Sequence, residues 1–230
     1  GRPESGLEVL RDVTPEAVER GRRYVEEGRT AIMLKEDIDE KLYVEAVCRT
    51  AGHEATAVIA HEHTRFVRLV ADGEVRLDTS GETGGDSTET DEPQLSLRKV
   101  YDYATTTPID EISFILEARR LNETAARRSL EANYGHCLGK TLTRPLGRGI
   151  FSRILSSTAC ACDARMAGAM IPVMSNSGSG NQGICATNPV VVFAEENHNT
   201  EEEMIRALML SHLTAIYIKQ HLGTLSALCG

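Results

Sequence analysis

The pattern of apolar and polar positions divides the chain into two parts of different character. Near the start, Thr14, Pro15 and Glu16 combine a capping hydroxyl, a proline at the first helical position and an acid in the first turn. They predict a helix running to about Glu27 and stopped by Gly28. β-like segments follow at Ile32–Leu34, Leu42–Cys48, Thr56–His61 and Phe66–Val70. In the second of these, Leu42, Val44, Ala46 and Cys48 alternate with Tyr43, Glu45 and Val47, the period of a half-buried strand. Ala51, Gly52 and His53 read as the turn of a hairpin joining it to the next segment. Residues 1–77 are therefore expected to form a small subdomain, a helix packed on an antiparallel sheet.

Residues 78–94 are dominated by Ser, Thr, Gly, Asp and Glu and have almost nothing to bury, which predicts a linker or mobile loop. From 95 onward the pattern is helical. Leu95–Ala104 predicts a short helix, and Asp110 is expected to cap a long one that carries Ile112, Ile115 and Leu116 and reaches about Asn133. Phe151–Met170 is rich in Ser, Ala and Gly, so it can pack closely against neighbours and is expected to be central. Thr200 and Glu203 form a capping box opening a helix towards His221, and a further apolar run begins at Leu225–Cys229. The expected fold class is α+β: an N-terminal helix-plus-antiparallel-sheet subdomain, then a mostly α-helical core over residues 95–230. The chain opens without Met and closes as an apolar run starts, which reads as an excerpt of a longer protein.

Composition narrows the function classes. A net charge of -9 argues against nucleic acid as a partner, since such a binder needs cations to displace phosphate counterions. No stretch approaches the apolar length of a membrane span. The six cysteines show no CxxC pair and no repeated framework, so reduced thiols and a cytoplasmic setting are expected.

The densest chemical signal is the loop from Ser175 to Gly183, set between apolar flanks (Met170, Ile171, Val173 and Met174 before; Ile184 and Val190–Val192 after). Gly178, Gly180 and Gly183 let the backbone approach a ligand, and successive free N–H groups in such a turn form a concave nest for an anion. Ser175, Ser177 and Ser179 add hydroxyls; Asn176, Asn181 and Gln182 add amides. The loop holds no Lys or Arg, which favours a single carboxylate over a polyphosphate. Asp163 and Arg165 flank an alanine in the small-residue helix, either as an ion pair or as supports for the substrate or the loop. Gly135–Thr141 is one residue short of a P-loop, and the His61–His63 pair lacks metal-binding partners.

The residues 163–168 (DARMAG) followed by 172–184 (PVMSNSGSGNQGI) resemble a specific family, the L-cysteine desulfidases related to the alpha chain of iron–sulfur L-serine dehydratases. Gly6–Leu10, Val13–Glu16, Lys41–Glu45 and Ala57–Thr64 agree with it, so the resemblance covers nearly the whole chain. It implies β-elimination of L-cysteine or L-serine to pyruvate and ammonia, with release of sulfide or water, on a 4Fe-4S cluster. It also implies that Ser175, Asn176, Ser177, Gly178, Ser179, Gly180 and Asn181 hold a small amino-acid substrate. Family members carry a cysteine segment before the part present here, and Cys229–Gly230 matches the start of another. Cys229 is thus the one candidate metal ligand. The cluster is expected in the parent protein and not in this excerpt, which is expected to be inactive. Two alternatives stand beside this reading. One is a non-catalytic amino-acid-binding or sensing module; the other is a hydrolase using Ser177 or Cys185, which needs a histidine within reach of either side chain. The small-residue helix could pack within the chain or across a homodimer.

Overall fold

The computed structural model describes residues 4–5, 9–10, 12–40, 42–61, 64–80, 93–147 and 149–222, the side chains of 143–146 apart. Cys229, the apolar run from Leu225, His63 and most of the expected linker lie outside the described residues. The chain divides into two compact units, Gly1–Glu92 and Pro93–Gly230.

In the first unit, helix α1 (Pro15–Glu26) opens as the sequence predicts, with Thr14 Oγ1 accepting from the Ala17 amide. Strands β1 (Tyr43–Thr50), β2 (His53–Ala60), β3 (Phe66–Ala71) and β4 (Glu74–Asp78) form one antiparallel sheet in chain order. Tyr43 pairs with Ala60 and Thr50 with His53, so the expected turn at Ala51–Gly52 sets the register. A second two-residue turn, Asp72–Gly73, has positive φ at both positions and joins β3 to β4, the geometry that matches strand twist in tight hairpins. Three expectations need correction. Residues Ile32–Leu34 form no strand and are almost fully exposed. Helix α1 buries none of its residues, so it is not packed on the sheet as expected. Strand β1 is exposed after Tyr43 despite its alternation; the small core of this unit is Val58, Ala60 and Val67, with Tyr43 against it.

The second unit is helical: α2 (Leu97–Thr106), α3 (Ile109–Ile112), α4 (Leu116–Glu131), α5 (Leu138–Leu146), α6 (Ile150–Met166), α7 (Gly180–Glu196) and α8 (Glu201–Leu222). The long helix expected from Asp110 is broken: Asp110 lies inside the first turn of α3, and a 3-10 turn at Ser113–Ile115 separates α3 from α4. The small-residue helix is central as predicted, since α6 packs against α4, α5 and α7. The capping box of α8 forms in both directions: the Glu203 amide donates to Thr200 Oγ1 at 3.2 Å, and the Thr200 amide donates to Glu203 Oε2 at 2.8 Å. Helix α7 joins two cores. Val191 and Ala194 pack with Leu208, Met209 and Ile112, while Ile184 packs with Ala125, Ala126 and Ala161.

Candidate functional site

The loop found in the sequence is shorter in space than its composition suggests. Asn176 and Ser179 exchange backbone hydrogen bonds, each 3.0 Å, around a tight turn at Ser177–Gly178. Both central residues have positive φ, 47° and 80°. That suits Gly178 and costs Ser177 some backbone strain. From Gly180 onward the expected loop is the first turn of α7, capped by Ser179, whose Oγ accepts from the Gln182 amide at 3.2 Å. A reverse turn therefore runs straight into a helix N-terminus, where the first N–H groups have no intrahelical acceptor.

Two glycines make this junction possible. A Cβ on Gly180 would lie 2.2 Å from Arg165 Nε, so the missing side chain is what lets the guanidinium lie against the start of α7. A Cβ on Gly183 would lie 2.0 Å from the Met174 carbonyl oxygen, so α7 touches the segment before the turn, backbone to backbone. Arg165, half-buried on α6, donates to Asn181 Oδ1 at 3.1 Å and also contacts Met166 Sδ. The loop lacks a cation of its own, and the fold supplies one.

Asp163 and Arg165 do not pair with each other. Asp163 Oδ2 accepts from the Gly139 amide at 3.0 Å, at the start of α5. A carboxylate thus occupies the helix N-terminus within the P-loop-like segment, which leaves no role there for a phosphate. Asp163 holds α5, and Arg165 holds the turn.

Behind the turn lies a buried polar network that the sequence reading does not anticipate. Asn176 Nδ2 donates to both the carbonyl oxygen and Nδ1 of His212, each at 3.1 Å. Its Oδ1 accepts from Ser177 Oγ at 2.9 Å and from Gln182 Nε2 at 3.2 Å. With Nδ1 an acceptor, the His212 proton is on Nε2, which donates to Thr187 Oγ1 at 3.0 Å. Thr187 Oγ1 in turn donates to the Gly183 carbonyl at 2.7 Å and accepts from Asn122 Nδ2 at 3.0 Å. Asn122 closes the chain by accepting from the Met174 amide at 2.8 Å and donating to its carbonyl at 3.3 Å. Each proton in this set has one acceptor, so the turn is fixed from behind by neutral hydrogen bonds.

Burial holds the pKa of His212 below its ordinary 6.5. Protonation would also turn Nδ1 into a donor facing the Asn176 amide N–H. The folded state thus resists a proton that the unfolded chain accepts near pH 6.5. Stability is complete above that value and falls as pH drops through it towards the lowered folded-state pKa. Urea midpoints for the chain are expected to fall between about pH 7.5 and about pH 5.5, with a smaller drop in His212→Gln. An equal drop in both proteins would remove His212 as the source.

The remaining candidates are placed as follows. Ser175 and Gly178 are exposed; Asn176, Ser179 and Gly180 are buried; Ser177 and Asn181 are half-buried. Ser177 Oγ is bonded to Asn176, and both ring nitrogens of His212 are engaged with Asn176 and Thr187. The thiols of Cys162 and Cys185 are neighbours across α6 and α7, and each influences the other: the contact lowers the pKa of Cys185 and, with burial, raises that of Cys162. Among the described residues no histidine is hydrogen-bonded to Ser177 or Cys185, which counts against a nucleophilic hydrolase. Nor do three His, Cys, Asp or Glu side chains converge as a metal site among the described residues. No helix among them is long and apolar enough to cross a membrane.

With this geometry established, comparison with known proteins is informative. The family model for the serine dehydratase alpha chain matches residues 4–230. A UPF0597 protein of Bacteroides thetaiotaomicron is 61% identical over 100% of this chain and 54% of its own length. UPF0597 proteins of Oleidesulfovibrio alaskensis and Yersinia enterocolitica are 44% and 42% identical, again over 100% of this chain and 55% and 54% of their own lengths. The chain thus spans about half the length of the curated relatives it matches. No solved structure matches it.

Proposed function

Because the chain belongs to the serine dehydratase alpha chain family, we propose that it supplies the carboxylate-binding part of an amino-acid lyase, acting by β-elimination on L-cysteine or L-serine to give pyruvate and ammonia with sulfide or water. The observation that carries this reading is the placement of the Arg165 guanidinium against the start of α7, immediately after the Ser177–Gly178 turn. A helix N-terminus, a tight turn and one cation form a site of the size and charge of one carboxylate.

In this reading the amides of Ser177, Gly178, Gly180 and Asn181 and the Arg165 guanidinium hold the substrate carboxylate. The network through Asn176, His212, Thr187 and Asn122 keeps those amides in place, so binding loses little to ordering of the protein. Fixing the carboxylate orients the α-proton and the β-substituent, the two groups that must leave. An iron–sulfur cluster, as the resemblance implies, would supply Lewis acidity towards the leaving group. The thiols of the described residues do not converge as its ligand set, and Cys229 lies outside them, so no step here depends on it.

Calorimetry with paired ligands tests the carboxylate. L-serine and L-cysteine are expected to bind at least about tenfold more tightly than ethanolamine and cysteamine, which lack that group, and Arg165→Ala should remove most of the difference. Equal affinity for serine and ethanolamine would refute the site. Pyruvate release from either amino acid by the Bacteroides thetaiotaomicron relative would separate a lyase from a binding module, for which none is expected.

A further inference from the structure

Helices α6 and α7 run antiparallel, and two hydrogen bonds fix how they face each other. At one end of the seam Arg165 on α6 donates to Asn181 Oδ1 on α7 at 3.1 Å. Further along, Asn188 Nδ2 on α7 donates to the Ser157 carbonyl on α6 at 3.3 Å. Cys162 and Cys185 fall between these two contacts. Cys162 lies three residues before Arg165 and Cys185 four after Asn181, so each is one turn along its own helix on the facing side. The register of the two helices thus brings the thiols together across the seam, where they are neighbours.

The two thiols differ in access. Cys185 is exposed, whereas Cys162 is half-buried and packs against the core formed by Ala125, Ala126, Ala161 and Ile184. The Cys162 thiol lowers the pKa of Cys185, and Cys185 together with burial raises that of Cys162. The outer sulfur is therefore the one that both meets solvent and carries thiolate, the form that reacts with oxidants. Cys160, on the same helix as Cys162, is fully buried, and burial raises its pKa.

We propose that Cys162 and Cys185 form a peroxide-reactive modification site, in which Cys185 is oxidised first and Cys162 then closes a reversible disulfide across the seam between α6 and α7. In the first step the Cys185 thiolate attacks one oxygen of hydrogen peroxide. The O–O bond breaks, the sulfur loses two electrons and becomes a sulfenic acid, and the other oxygen leaves as hydroxide and takes up a proton to give water. In the second step the Cys162 sulfur gives up its proton and attacks the Cys185 sulfur. The S–O bond breaks, its oxygen leaves as water, and the S–S bond forms. Two thiols and one peroxide become one disulfide and two waters. Once Cys185 is a sulfenic acid, the thiolate that raised the Cys162 pKa is gone, which eases the second step. Neither thiol is among the groups assigned to the substrate carboxylate, so failure of this proposal would leave that reading untouched.

The test treats the reduced chain with dilute hydrogen peroxide, alkylates the remaining thiols, and analyses an unreduced digest by mass spectrometry. The peptides carrying Cys162 and Cys185 should be joined, and dithiothreitol should separate them. Cys160→Ala should leave this link in place, and Cys162→Ser should abolish it. With the second thiol gone, dimedone should trap a sulfenic acid on Cys185, at least about tenfold more than it labels Cys162 in Cys185→Ser. The unaltered chain decides the matter by fragmentation of the joined peptides even where a variant does not fold. A link through Cys160, no link between these two peptides, or equal dimedone labelling of Cys162 and Cys185 in the two variants would overturn the proposal.

Discussion

Replacing Gly183 by alanine is expected to destabilise the protein by roughly 3 kcal/mol or more, the upper end for overpacking a close contact. The new Cβ would stand 2.0 Å from the Met174 carbonyl oxygen and 2.8 Å from the Ser175 backbone. Those atoms are main chain and cannot swing aside as a flexible side chain could. Met174 is also bracketed by Asn122, so moving it breaks the bonds at 2.8 and 3.3 Å that hold the segment before the turn. Gly21→Ala is the matched control, since a Cβ there meets nothing within 4 Å and the position is inside α1. It should be neutral or stabilising by up to about 1 kcal/mol. Urea unfolding of the two variants checks this, and a Gly183→Ala midpoint close to that of the unaltered protein would mean that α7 and the segment before it are not in the contact described.

Asn122→Ala should cost about 2–4 kcal/mol, again by urea unfolding. Asn122 is fully buried, and its one side chain satisfies the Met174 amide, the Met174 carbonyl and Thr187 Oγ1. Truncation leaves the Met174 N–H without its acceptor and opens a polar cavity. Asn122→Asp should fare no better, because it turns an oxygen towards the Met174 carbonyl where a donor now stands. The loss should be local as well as global: hydrogen exchange at Met174 and Gly183 is expected to quicken more than exchange in the capping box of α8. Uniform acceleration across α8 and the turn would argue that Asn122 supports the core in general and not the turn.

The sequence made some of this legible and hid the rest for physical reasons. Helices α1 and α8 were readable because their ends are written in local chemistry, Thr14 with Pro15 and Thr200 with Glu203. The Ser175–Gly183 loop is visible from its glycines and hydroxyls, but its second half is helix. Gly180, Gly183, Asn188, Pro189 and three consecutive valines are poor helix formers, and α7 owes its existence to burial of Ile184, Val191 and Ala194 between two cores. Strand β4 is legible in Asp72–Gly73, a strong hairpin signal, and in Val75 and Leu77 between charged neighbours, a run too short to stand out by alternation alone. The alternation in β1 suggested burial that the strand does not have. His212 carried the weakest signal. It sits among Leu208, Met209 and Leu213, where a lone histidine reads as one more core position, and its partner Asn176 is 36 residues away. Only the coincidence of a buried histidine with a buried asparagine in the loop marks the pair, and that is a fact of tertiary structure.

The central claim is that the turn at Ser177–Gly178 and the start of α7, with Arg165 beside them, bind the carboxylate of a small amino acid. Titration of L-serine into nitrogen-labelled protein tests it most directly. The amide resonances of Ser177, Gly178, Gly180 and Asn181 are expected to move saturably with L-serine and to stay in place with ethanolamine. Saturable shifts elsewhere with these four unmoved, or the same shifts from ethanolamine, would contradict it.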